Sequence, residues 1–196
     1  MTLRALLAAA AVVALAGCAS TGPVGGTGPS SSPDAASQPP AAAPDGPHLT
    51  AEGVVFDPIA HDVEPDDDCE GLPGRDELDA FDRAAWPALD VAAGEAIMTC
   101  GNADGAGWRH IADGHTGDFG ELAEPVGAEW EDVAWFAIDR ALEQPTRVEE
   151  YRDDIVNYDV LVELVDDDQT QRAWMVTVGV GLSSGHIITA FPDEQR

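Results

Sequence analysis

The chain has 196 residues, with 37 aspartates and glutamates against nine arginines, no lysine, and a formal net charge of −28. A field of that sign keeps a protein soluble and repels polyanions, so it weighs against nucleic acid and anionic lipid head groups as partners. The surplus is spread along the chain: His48 to Ala106 carries fifteen acids against two arginines, and Gly107 to Arg196 twenty against six.

Residues 1–17 read as an export signal. Arg4 supplies one positive charge, and Ala5 to Leu15 form an apolar stretch too short to span a bilayer. It ends in Leu15-Ala16-Gly17-Cys18, which resembles the lipobox of bacterial lipoproteins. The resemblance implies cleavage before Cys18 and acylation of its thiol; the alternative is an ordinary secretory signal that contains a cysteine. It places the protein on the extracytoplasmic side of a bacterial cell membrane, touching that membrane through lipid alone. Residues 18–47 are dominated by Ala, Gly, Pro, Ser and Thr and hold no aromatic side chain. They cannot bury enough apolar surface to offset their ordering entropy, which predicts a disordered tether of about 30 Å mean span. The remainder, 48–196, has the size of one domain, divided into an N-terminal loop-and-helix part, 48–106, and a second part, 107–196. With Cys18 lipidated, Cys69 and Cys100 are left to pair, as suits an exported protein; two free thiols are the alternative.

Leu49 to Pro73 reads mostly as loop, with Val54 to Phe56 as a short strand. The acidic run Glu64 to Glu70 lacks the ligand spacing of a calcium-binding EF-hand and reads as a solvated turn. Arg75 to Met98 predicts a helix broken near Pro87, with Leu78, Phe81, Ala85, Leu89, Ala92 and Ala96 approximating one apolar face. Trp108 to Asp113 predicts a short helix closed by Gly114 in the left-handed conformation. Glu129 to Gln144 predicts the clearest helix: Trp130, Val133, Ala134, Ala137, Ile138 and Ala141 share a face, acids fill the first turn, and Pro145 follows. Beyond it come strands at Thr146 to Tyr151, Asn157 to Val165, Arg172 to Leu182 and His186 to Phe191, the last closed by Pro192. Asp166 to Thr170 reads as a hairpin turn, and Gly179 and Gly181 as a bulge or close packing. The expected fold class is α+β: N-terminal helices followed by a three- to four-stranded antiparallel meander, preceded by the tether.

The chemistry concentrates in Gly107-Trp-Arg-His-Ile-Ala-Asp-Gly-His115. His110 and His115 are five apart, about 140° around a helix, so they do not chelate from one face as an i, i+4 pair does; no bound metal and no cofactor is expected. Histidine does suit acid/base work, and arginine the charge of a phosphate, which are the needs of metal-independent RNA cleavage.

The segment Gly107, Trp108, His110, Ile111 and His115, together with the ending Gly185-His-Ile-Ile-Thr-Ala-Phe-Pro192, resembles the barnase/EndoU/colicin/RelE-like superfamily of small ribonucleases, which includes toxin domains. The resemblance covers somewhat under half the chain. It implies His110 or His115 as acid and base, and Thr189 as a polar group on the last strand. It also implies Arg152, or else Arg147 or Arg172, on the phosphate, and Tyr158 as a helper. The partners implied are an RNA substrate and a cognate immunity or envelope protein. Two function classes lead, ahead of a metal-binding lipoprotein. One is a surface lipoprotein with metal-independent ribonuclease activity. The other is a non-catalytic envelope lipoprotein whose acidic domain binds a protein, glycan or cationic ligand. A basic cleft around the two histidines favours the first; histidines bonded to carbonyls with no such cleft favour the second.

Overall fold

The computed structural model describes residues 44–58, 68–152 and 154–195. The signal residues 1–17, Cys18, the tether up to residue 43 and the acidic run up to Asp67 lie outside the described residues. In chain order the strands are β1 (His48–Ala51), β2 (Val54–Val55), β3 (Glu77–Arg83), β4 (Gly94–Thr99), β5 (Arg147–Arg152), β6 (Ile155–Asp166), β7 (Gln169–Gly181) and β8 (Ile187–Glu194). Two α-helices, α1 (Trp108–Ala123) and α2 (Trp130–Glu143), stand between β4 and β5.

The strands with the cleanest alternation, β6 and β7, form the centre of a six-stranded antiparallel sheet of order β2-β1-β6-β7-β8, in which β5 also pairs with β6. Because β7 runs along the whole of one edge of β6, β5 and β1 share the other. β5 lies against Ile155 to Asp159, and β1 against Val162 to Val165. The helices cover one face, where Val156, Tyr158, Val160 and Val162 of β6 and Trp174, Val176, Val178 and Val180 of β7 are buried. Each aliphatic side chain so buried contributes about 1.5–3 kcal/mol. The turn between β6 and β7 places Asp167 and Asp168 at φ 49° and 59°. That is a two-residue type I′ hairpin, with short acidic side chains in the role glycine usually takes.

The fold class expected from the sequence is corrected: the molecule is sheet-dominated, and the helices sit between strands rather than ahead of a meander. Residues 75–98 are not helical. They form β3 and β4, a separate antiparallel pair joined through a 3-10 turn at Pro87–Leu89, with Phe81 opposite Ala96. The apolar residues there recur every three or four positions by coincidence of two short strands, and packing decides against the helix. Phe81, Ala96 and Met98 are buried; the Phe81 ring centroid lies 5.3 Å from that of Trp135 on α2. α2 also buries Trp135, Phe136 and Leu142 beyond its expected apolar stripe: Trp135 meets the hairpin through Phe81, and Phe136 meets Phe56, their centroids 5.4 Å apart.

Gly114 does not cap α1. The helix continues through Gly114, Gly117 and Gly120 to Ala123, and the left-handed residue is Gly127, at φ 65°. Each interior glycine costs about 1 kcal/mol relative to alanine. Ile111, Phe119 and Leu122, all fully buried on one side of the helix, offset that cost. The segment before Pro73 also carries more structure than expected, since His48–Ala51 is a strand of the main sheet. Pro192 lies inside β8 opposite Val176 rather than ending it; β8 is an edge strand, where a residue without an N–H is tolerated. Between Gly179 and Val180 the β7–β8 register shifts by a bulge.

Cys69 and Cys100 are joined in a disulfide with Cα atoms 5.5 Å apart. The described residues of 48–106 and 107–196 belong to one compact unit, joined through the β1–β6 pairing. Among the described residues no helix is long and apolar enough to cross a membrane.

Candidate functional site

Gly107 begins α1 at φ 80°, its amide donating to the Ile188 carbonyl at 3.1 Å. A Cβ there would meet the Thr99 carbonyl oxygen at 2.6 Å, so only glycine fits. Trp108 is fully buried, stacked on Trp130 at 5.0 Å and edge-on to Trp135 at 5.5 Å. Arg109 turns back to the disulfide. Its Nη1 donates to the Gly101 carbonyl at 3.0 Å, and its Nη2 to the carbonyls of Leu72, at 2.9 Å, and Cys69. Arg109 thus clasps the disulfide loop to the helix, while Gly107 and Trp108 seat the helix against β8 and α2.

His110 Nδ1 donates to the Ala103 carbonyl at 2.9 Å, which leaves Nε2 as the free nitrogen. His115 Nδ1 lies 3.0 Å from Asp118 Oδ2, and its ring sits 5.5 Å from that of Phe191 on β8. The two imidazoles meet edge to face with centroids 6.1 Å apart, closer than their spacing on a helix suggests. Gly114, the i+4 neighbour of His110, puts no side chain between them. Among the described residues no group of three or more His, Cys, Asp or Glu is placed to hold a metal ion.

The other residues named from the sequence do not join them. Thr189 pairs with Gly179, two residues from Phe191 and on the same strand face, and its Oγ1 is buried without a partner. Tyr158 is fully buried on the opposite, helix-covered face, where its hydroxyl accepts from Arg83 Nη1 at 2.7 Å. Arg152 is exposed at the end of β5, its Cζ 4.7 Å from the Tyr151 ring centroid, with β6 and β7 between it and β8. Arg147 is ion-paired to Asp159 at 2.7 Å and Arg172 to Glu194 at 2.8 Å. The bond from Asp159 holds the Arg147 guanidinium above its ordinary pKa, and the bond from Glu194 does the same for Arg172.

One group missed from the sequence is Asp159, 2% exposed on the helix-free face of β6, where it accepts from Thr177 Oγ1 at 2.7 Å as well as from Arg147. An acid inside an alternating strand pattern was the available signal. Gly181 to Gly185 has the G-x-S-x-G spacing of a hydrolase nucleophile, but it turns strand into strand. There Ser183 Oγ donates to Asp154 at 2.5 Å.

The acids of the β3–β4 hairpin converge on α2 instead. A cleft of about 320 Å³ runs between them, lined by Asp79, Asp82, Asp139 and Glu143 around Phe81 and Trp135. A second, of about 470 Å³, shares Asp82 and Glu143 and adds Arg83, Gly94 and Glu95. Neither cleft is lined by His110 or His115. No family model, no curated protein and no solved structure matches this chain.

Proposed function

We propose that this chain is an extracytoplasmic lipoprotein, anchored through Cys18, whose folded unit is a non-catalytic binding domain for a cationic ligand. The observation that carries this reading is the paired cleft between β3 and α2, where four carboxylates line the walls together with the largely buried Phe81 and Trp135. Aromatic edges and faces supply contact area, and carboxylates with low-dielectric walls focus the field on a cation. Arg140 neutralises part of it through Asp139 and Glu143, which leaves Asp79 and Asp82 without an ion-pair partner among the described residues. The placement of the histidines and arginines supports the same reading: His110 is bonded to a carbonyl, His115 faces Asp118, Arg147 and Arg172 are held by carboxylates, and Arg152 lies on Tyr151 with β6 and β7 between it and β8.

The test is calorimetric titration of the full chain in mild detergent with agmatine, a small dication. The reading expects binding that weakens as NaCl is raised and that falls in an Asp79→Asn/Asp82→Asn protein. Absence of binding at low salt would count against it. Metabolic labelling with a fatty acid tests the anchor, and loss of label in Cys18→Ala is the expected result.

A second reading, metal-independent RNA cleavage, draws on the proximity of His110, His115 and Phe191. It expects RNA to be cut in EDTA, with cutting lost in His115→Ala; an uncut substrate at every salt concentration removes it.

A further inference from the structure

Arg83 is a cation without a counter-ion among the described residues. Arg109 is satisfied by three carbonyls, and Arg140, Arg147 and Arg172 are each paired with carboxylates. Arg83, on β3, is half-buried and donates one bond, from Nη1 to the neutral hydroxyl of Tyr158 at 2.7 Å. Its Nε is buried with no hydrogen-bond partner. Among the described residues no carboxylate stands within ion-pair distance of it, although Asp82, Glu95 and Glu143 line the same cleft of about 470 Å³. Its contacts are with the hydroxyl and ring of Tyr158, the Cζ lying 5.9 Å from the ring centroid, so a half-buried cation with a buried, unbonded Nε gains from an anion brought to it. Gly94, its register partner on β4, keeps the approach open: a Cβ there would come 3.3 Å from Nη2.

A simple anion fits poorly, because it must approach through the field of 37 acids and past three carboxylates at the cleft itself. A ligand that carries its own positive charge meets no such barrier. We infer that the ligand is amphoteric, a basic amino acid or the basic C-terminal residue of a peptide. Its carboxylate pairs with the Arg83 guanidinium, and its cationic end lies among Asp79, Asp82 and Glu143 of the adjoining cleft. This rests on the cationic-ligand reading above and adds to it a site for the carboxylate.

The test compares L-arginine with agmatine, which has the same guanidinium chain without the carboxylate, by titration into the full chain at low salt. Agmatine carries the higher positive charge, so an acidic surface alone prefers it. A carboxylate site at Arg83 reverses that order, with L-arginine bound roughly tenfold or more tightly, as a charge-assisted bond supplies. In Arg83→Gln the preference disappears while agmatine still binds. Agmatine bound as well as or better than L-arginine by the unmutated chain overturns this inference and leaves the cationic-ligand reading standing. Binding of neither overturns both. Because the decisive comparison uses the unmutated chain, it holds even where near-UV circular dichroism shows the variant unfolded.

Discussion

Replacing Arg109 by methionine removes the three donors that clasp the Cys69–Cys100 loop to the start of α1. Hydrogen bonds from a charged donor are worth about 1.5–3 kcal/mol, and partial exposure here brings each to about 1 kcal/mol, or about 3 kcal/mol in all. The disulfide spans 31 residues in sequence, which in the chain-entropy model contributes about 4 kcal/mol. The two are not independent. Two of the three acceptors, the carbonyls of Cys69 and Leu72, lie at the far end of the loop, which the disulfide holds in place. With the disulfide removed, those two bonds are lost with it. Arg109→Met should therefore cost about 3 kcal/mol in the native chain and about 1 kcal/mol in Cys69→Ala/Cys100→Ala, a coupling of about 2 kcal/mol. Urea unfolding of the four proteins measures it: with a slope of about 2 kcal/mol/M, the midpoint shifts are about 1.5 M and about 0.5 M. Equal shifts in the two backgrounds would refute the clasp.

Gly114→Ala should stabilise the chain by about 0.5–1 kcal/mol, since the position is helical and a Cβ meets nothing within 4 Å, whereas Gly107→Ala should prevent α1 from docking. A melting temperature lowered by Gly114→Ala would restore the left-handed cap. Arg147→Ala should cost about 3 kcal/mol because it leaves the buried Asp159 carboxylate with Thr177 alone, while Asp159→Ala costs less, its partner being 54% exposed and free to hydrate. Denaturant midpoints in the reverse order would show that the pair is not held by burial of the acid. Raising NaCl from about 0.01 M to about 0.5 M should raise the thermal midpoint, because screening relieves the self-repulsion of a net charge of −28. A midpoint lowered by salt would mean that the ion pairs outweigh the repulsion.

The long strands β6 and β7 and helix α2 were legible because their periods are long and regular: five alternating buried residues on β6, and a 14-residue amphipathic helix with acids at its start. β3 and β4 were not. They are seven and six residues long, rich in Ala, Glu, Asp and Leu, and owe their form to burial of Phe81 and Met98 under α2 and the sheet. The length of α1 was hidden by three glycines, each a local stop signal that the packing of Phe119 and Leu122 overrides. The same misreading concealed the clefts, because Asp79, Asp82 and Glu95 converge only when residues 77–99 fold back as a hairpin. In the nine-residue motif, the residue types were visible but not their allegiance. Arg109 belongs to carbonyls 37 and 40 residues earlier, and His115 to a ring on the last strand.

The pairing of β1 with β6 has a consequence for how the chain reaches this form. Ala51 meets Val162, a partner more than a hundred residues later in the sequence. A chain that emerges from its N-terminus exposes β1 first, and β1 can pair at once with the two-residue β2, yet its other edge has no partner until β6 has appeared. Closing so long a loop is slow compared with forming the β6–β7 hairpin, whose turn is two residues. The first strand of the fold is therefore among the last to be fully stitched in. Until then the edge of β1 that awaits β6 is the open seam of the sheet, the place where a protease, or a second unfinished copy, would take hold.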